Sequence, residues 1–265
     1  MKNCITISLI FIYCLISIDS MGDIVKSNLG AREICIQGTS EEYVSVTEYI
    51  QDGLVAIWDG VENIDWGKSD SSILSMYDLM DDTHTLKFNF DSRDGYWFYN
   101  RQWRNLNLGN TSIQAEEYTF EICVKKPDST PVSVRYYPIL SIASSESQCI
   151  TFKPSNGRAR LYITSRDSET ATNYYVDWED LTYGYTATYS IINHTAYGHY
   201  NGIYCGAVAN RNLDGRVVSR IRLNADSTST SFSPCWVGCI RLYNRKLSNE
   251  EIAYNAEIDR VRYLK

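Results

Sequence analysis

Apolar side chains fall on every second residue in Tyr118-Thr119-Phe120-Glu121-Ile122-Cys123-Val124, and again at Tyr185, Ala187, Tyr189 and Ile191 and at Val217, Ile221 and Leu223. A period of two is the spacing of an extended strand with one face on a core. Between such stretches stand Asp94-Gly95, Asn156-Gly157, Asn201-Gly202 and Asp214-Gly215, the dipeptides that suit two-residue hairpins. Many short alternating segments separated by turns predict an all-β chain, folded as an antiparallel two-sheet β-sandwich (jelly roll). One segment reads as helix, and it comes last. Ser248-Asn249-Glu250-Glu251 is a capping box, in which the Ser248 hydroxyl serves the first turn and Glu251 reaches back, so a short C-terminal helix is predicted over Ile252 to about Asp259.

At 265 residues, 44% hydrophobic and 22% charged, the chain has the composition of a globular protein. All-β sandwiches reach this length as one domain, so length alone does not call for two. The start is set apart. Met1-Lys2 precedes an apolar run from Cys4 to Ile18 and then the small or polar residues Asp19 to Gly22, the order of a secretory leader. That run is too short to favour a membrane span. Residues 1–20 are therefore read as a leader, 21–48 as a lead-in with a brief β-arm at Ile34-Cys35-Ile36, and 49–265 as the sandwich domain. The expected location is secreted or cell-surface.

Outside a reducing compartment, Cys35, Cys123, Cys149, Cys205, Cys235 and Cys239 are disulfide candidates. Six cysteines allow 15 pairings, which sequence cannot resolve. One is excluded by length: in an extended Cys235-Trp236-Val237-Gly238-Cys239 the two ends lie about 13 Å apart, beyond the roughly 7 Å a bridge tolerates. With no CxxC pair and no nearby histidine, zinc has no ligand set here. The net charge of −7, without a Lys/Arg cluster, excludes nucleic acid as partner.

Two segments resemble a known family. Asp52-Gly53-Leu54-Val55-Ala56-Ile57-Trp58-Asp59-Gly60-Val61-Glu62-Asn63, followed by Trp66-Gly67, is similar to the opening strand and turn of bacterial surface proteins with a laminin G-like jelly-roll domain. Gly238-Cys239-Ile240-Arg241-Leu242-Tyr243-Asn244-Arg245-Lys246-Leu247-Ser248, with Glu250-Glu251-Ile252, resembles the closing strand and helix of that concanavalin A-like lectin/glucanase superfamily. The resemblance implies two packed sheets whose first and last strands meet, and no single function. In the closing strand Ile240 and Leu242 alternate with Arg241 and Tyr243, which predicts one buried and one solvated side. The helix is expected to cover an edge of the sandwich. Cys235 and Cys239 are not part of the family pattern.

Hydrolases of the superfamily carry Glu-x-Asp-x-x-Glu on one strand, and no such string exists here. The nearest, Glu116-Glu117-Tyr118-Thr119-Phe120-Glu121, lacks the middle acid and reads as a solvated strand edge. His84, His194 and His199 belong to no nucleophilic signature and are expected in loops or at the rim. Calcium is the one ion with candidate ligands, Asp59, Asp65, Asp78 and Asp81, each of which reads more readily as a solvated loop acid. Six Trp and 21 Tyr exceed what a core of this size needs, and flat aromatic faces stack on sugar rings. The carbohydrate-binding candidates are Trp97, Tyr99 and Trp103 in one cluster and Tyr175, Trp178 and Tyr183 in another, while Trp58 reads as core. The expected function is a recognition module that binds a glycan or glycoprotein without catalysis. The alternatives are a structural or adhesion module that contacts protein, and a glycoside hydrolase with acids from separate strands.

Overall fold

The structure is a computed structural model that describes residues 4–8, 15–19, 36–37, 44–65, 75–80, 85–87, 91–93, 96–99, 104–107, 113–114, 117–125, 137–142, 149–165, 168–209, 217–218, 220–223 and 235–264. The chain divides into two units, Met1–Ser45 and Val46–Lys265. In the first, strand β1 (Cys4–Ser8) pairs antiparallel with β2 (Leu15–Asp19) and with β3 (Ile36–Gln37). Ile34 and Cys35 of the expected β-arm lie outside the described residues. Among the described residues, no helix is long and apolar enough to cross a membrane.

The second unit opens with a 3-10 turn at Val46–Glu48. Then come β4 (Leu54–Asp59), helix α1 (Gly60–Asp65), β5 (Ser75–Tyr77), β6 (Thr85–Lys87), β7 (Asp91–Arg93), β8 (Tyr96–Tyr99), β9 (Arg104–Asn107) and β10 (Ile113–Gln114). The middle of the chain supplies β11 (Tyr118–Lys125), β12 (Tyr137–Ile142), β13 (Cys149–Ser155), β14 (Arg158–Ser165), β15 (Ser168–Val176), α2 (Trp178–Tyr183), β16 (Tyr185–Ile192), β17 (Thr195–Tyr200) and β18 (Ile203–Ala209). It closes with β19 (Val217–Val218), β20 (Arg220–Leu223), β21 (Cys235–Tyr243) and α3 (Asn249–Tyr263).

These strands build a jelly-roll-like sandwich. The larger sheet runs β18-β17-β16-β11-β21-β8-β7; β4 pairs with the far half of the β21 edge that β8 begins, which makes eight strands. The smaller is six-stranded, β15-β14-β13-β12-β20-β9, and every pairing is antiparallel. As the resemblance implied, the first and last strands of the domain meet: Trp58 lies opposite Ile240 and Ala56 opposite Leu242.

The alternation locates the core. Phe120, Ile122 and Val124 on β11, Tyr185, Ala187, Tyr189 and Ile191 on β16, and Ile240 and Leu242 on β21 pack with Phe152, Leu161, Ile163 and Trp58 between the sheets, all nearly without solvent contact. Phe152 meets Tyr185 and Tyr200 edge-on at 5.2 and 5.5 Å. Asn156-Gly157 and Asn201-Gly202 turn their hairpins with positive φ at both residues (50° and 78°, 47° and 80°), the geometry that matches strand twist. Asp94-Gly95 and Asp214-Gly215 lie outside the described residues. The Val217–Leu223 alternation is not one strand: β19 pairs with β10, and β20 joins the smaller sheet.

The second face of the larger sheet differs from expectation. Arg241 and Tyr243 are buried instead of solvated, as is Glu121, because α3 lies across this face rather than along an edge. Each row of the face holds polar groups that need partners once water is excluded. Arg241 donates to both oxygens of Asp259 at 2.7 Å and to Glu121 Oε2 at 2.9 Å. Asp259 also accepts from Tyr49 Oη and Thr186 Oγ1, each at 2.7 Å. Asn255 donates to Glu121 and Tyr243 and accepts from the Ile50 amide. The Tyr49 ring lies 4.0 Å from the Arg241 guanidinium carbon. Further along, Asp59 accepts from Arg262, Tyr263 and the Glu62 amide. The predicted capping box is present at Ser248 and Glu251. The helix starts at Asn249 and continues to Tyr263, one turn beyond the expected end, because Arg262 and Tyr263 are held by Asp59.

Candidate ligand-binding face

At the β18 edge, beside the first turn of α3, the Tyr197 and Tyr204 side chains of β17 and β18 come to the surface. The Asn201-Gly202 turn pairs Tyr200 with Ile203, which sets His199 opposite Tyr204, and after a bulge Tyr197 stands opposite Ala207. Tyr204 is 49% exposed and Tyr197 is half-buried. Their rings are 6.4 Å apart and tilted by 47°, and the His199 ring meets Tyr204 edge-on at 5.5 Å. Lys246, from the segment that leads into α3, holds its ammonium 4.8 Å from the Tyr197 ring centre.

Beneath this corner the polar groups are incompletely paired. His199 Nε2 lies 3.1 Å from Asn249 Oδ1 at the start of α3, while His199 Nδ1 and the Ser190 hydroxyl, both buried, have no hydrogen-bond partner among the described residues. Ser190 is the register partner of Tyr197. With the amide oxygen on Nε2, the ring donates from Nε2 and Nδ1 remains a bare acceptor. Burial lowers the His199 pKa, and Lys246 adds to the effect, so the imidazole is uncharged at neutral pH. The corner thus offers two tyrosine faces with their hydroxyls and one ammonium, over a buried neutral imidazole. Aromatic faces and a cation side by side are suited to stacking on a pyranose ring and pairing with an anionic substituent.

The residues singled out from sequence are dispersed. Tyr175 is half-buried beneath Arg160, whose guanidinium carbon is 5.2 Å from its ring. Trp178 opens α2 with its side chain in the core, at 8% exposure, and Tyr183 closes α2 with 74% of its surface in solvent. An indole turned inward at the start of a two-turn helix cannot share a platform with the tyrosine at its outer end. Trp97 and Tyr99 lie on β8 opposite Val237 and Cys235. Trp103 lies outside the described residues. Trp58 is fully buried, as expected of core.

The acids considered as calcium ligands have other roles where they are described. Asp59 is fully buried and bound by Arg262 and Tyr263; Asp78 accepts from the Ile57 and Met80 amides at 2.9 and 3.0 Å. Asp65 ends α1, and Asp81 is outside the described residues. Among the described residues no group of three His, Cys, Asp or Glu is placed to hold a metal. Glu121 is no solvated edge acid. Burial raises its pKa despite the contacts with Arg241 and Asn255. Of the histidines, His194 is at the exposed tip of the β16–β17 hairpin as expected, His199 is an internal strand residue rather than a rim one, and His84 is outside the described residues. Cys123, Cys205 and Cys239 are free thiols. Cys35 is outside the described residues; Cys149 and Cys235 lie on β13 and β21.

No protein-family profile matches this chain, and no curated protein does. Solved structures share its fold. The sialidase of Trypanosoma rangeli superposes with a TM-score of 0.56 at 15% identity, over 79% of this chain and 33% of that one. The same enzyme in complex with 2,3-difluorosialic acid reaches 0.58 at 14% identity. The botulinum neurotoxin serotype D ligand binding domain, in complex with N-acetylneuraminic acid, reaches 0.52 at 14% identity, over 78% of this chain and 51% of that one. The chain therefore spans about a third of the sialidase and half of the neurotoxin domain. At this level of identity the likeness establishes a shared sandwich fold.

Proposed function

We propose that this chain is a glycan-recognition module of the laminin G-like, concanavalin A-like type, secreted or displayed at the cell surface, and that it binds without catalysis. The observation that carries the reading is the corner where the Tyr197 and Tyr204 rings and the Lys246 ammonium come together at the surface above the buried His199. Two structural neighbours were solved with sialic acid or N-acetylneuraminic acid, so a sugar bearing a carboxylate is the first ligand to test. Lys246 supplies the complementary charge. The described acids that converge, Glu121 with Asp259 and Asp59 with Glu62, are buried and committed to Arg241 and Arg262, which supports binding over hydrolysis.

The test is a glycan array probed with the full chain, with calcium and with chelator, before and after enzymatic desialylation. Selective binding that weakens on desialylation and is lost in Lys246→Glu supports the proposal. Absence of binding to every glycan overturns it and favours a protein-contact module, for which the exposed Ile203 beside Tyr204 supplies apolar surface.

A further inference from the structure

Across the covered face of the larger sheet, one row of register partners runs Thr186, Cys123, Cys239, Asp59 over β16, β11, β21 and β4. Directly opposed residues of an antiparallel pair project to the same face, with Cα atoms about 4.5 or 5.5 Å apart according to the hydrogen-bonding class of the pair. Both separations fall inside the range that a disulfide spans. The side chains share that side: Cys239 Sγ accepts from Arg241 Nη1, Arg241 in turn binds Asp259 of the helix above, and Asp259 also acts on the Cys123 thiol. Next to the pair, Val124 faces Val237, so Gly238 is left over as a bulge. A side chain there would collide with the Tyr263 ring, 2.7 Å from an added Cβ, so the bulge is built into the way α3 docks.

We propose that Cys123 and Cys239 are a disulfide site that staples the two central strands of the larger sheet, seen here in its dithiol form. The closing chemistry needs an external disulfide, such as oxidised glutathione. The thiolate of one cysteine attacks it and releases one glutathione thiol; the second cysteine then attacks the protein sulfur of the mixed disulfide and releases the other. Two protein protons leave with the two thiols formed, and the external disulfide is the species reduced. Both sulfurs are fully buried, and burial above all, with the Asp259 carboxylate adding to it, raises both thiol pKa values despite Arg241, which disfavours the thiolate. The exchange therefore belongs to the folding chain, before α3 closes over the row. Cys205 stands on β18, outside this row, and has no part in the bond.

The deciding experiment is oxidative refolding of the full chain in a glutathione buffer, alkylation of remaining thiols, and peptide mapping without reduction. The expected result is a peptide containing Cys123 linked to one containing Cys239, lighter by two hydrogens than the separate pair. Recovery of both as alkylated thiols, or linkage of either to another cysteine, overturns the proposal. The melting temperature supplies a second reading. A bond closing a loop of about 115 residues should raise it by roughly 5–15 °C over the reduced protein, and that part of the reductant sensitivity should vanish in the Cys123→Ala, Cys239→Ala double variant. Reductant sensitivity unchanged in the double variant would place the stabilising bond elsewhere. Neither readout depends on glycan binding.

Discussion

Arg241 and Asp259 are joined by two parallel hydrogen bonds of 2.7 Å, so strand β21 and helix α3 are fastened side chain to side chain with no solvent between them. Replacing Arg241 by Met leaves Glu121 and Asp259 as uncompensated buried charges. The expected cost is about 3–5 kcal/mol, read as a lower urea midpoint at unchanged slope. Simultaneous apolar replacement of Arg241, Glu121 and Asp259 should cost far less, because breaking such a pair is worse than removing it. Equal losses in the two variants would show that the ion cluster is not the fastening.

The helix also depends on its first turn. Ser248→Ala removes the acceptor for the Glu251 amide and should destabilise the domain by about 1 kcal/mol. Glu251 has a lowered pKa, chiefly through its hydrogen bond from Arg245, so its contribution is present above the ordinary carboxylate pKa and lost as pH falls through its lower folded value. Denaturant titrations at neutral and acid pH should find Glu251→Gln weaker than the parent at neutrality and level with it in acid.

His199 acts with the opposite consequence for its variant. Its folded pKa is below the ordinary value of about 6.5 because burial penalises the imidazolium. Between those two values the unfolded chain takes up a proton that the folded chain refuses, so stability falls as pH drops through the window. His199→Gln should narrow that fall by up to about 1.4 kcal/mol per pH unit. Parallel acid-induced losses in parent and variant would assign the effect to other groups.

Two aromatic substitutions separate binding from packing. Tyr204→Ala, at a half-exposed ring, should leave the melting temperature nearly unchanged while reducing glycan affinity tenfold or more. Trp178→Ala removes a core indole and should cost about 3–5 kcal/mol. Calorimetry of both, with ligand titration of the former, checks the pair; unaltered affinity in Tyr204→Ala would remove this corner from the binding surface.

Much of the architecture was legible because it rests on local rules. Alternation in Tyr118–Val124 and Tyr185–Ile191 marked the two strands at the heart of the larger sheet, and Asn201-Gly202 carried the information that pairs His199 with Tyr204. That turn was read, but its register was not followed to the corner it creates. The far face was illegible for a different reason. Alternation separates two sides of a strand without saying what covers the second, so Arg241 looked solvated when its partners were Glu121 and Asp259, remote in sequence. The α3 stripe of Ile252, Asn255, Ala256, Asp259 and Tyr263 has helical spacing, yet two of its buried members are polar, which hides the face from a hydropathy reading. Closeness in sequence did not bring Trp178 and Tyr183 together, because they stand at opposite ends of one short helix, one in the core and one in solvent.

The position of β21 also bears on how the protein is made. This strand lies between β11 on one side and β8 and β4 on the other, yet it follows all of them in sequence, more than 110 residues after β11. While a ribosome still holds residues 235–243, β4 and β8 lack the neighbour that joins them to β11, and the polar row awaiting α3 stays open to water. Completion of the larger sheet must wait until β21 has left the ribosome, and until then the unpaired edge of β11 is the site most open to association with another chain.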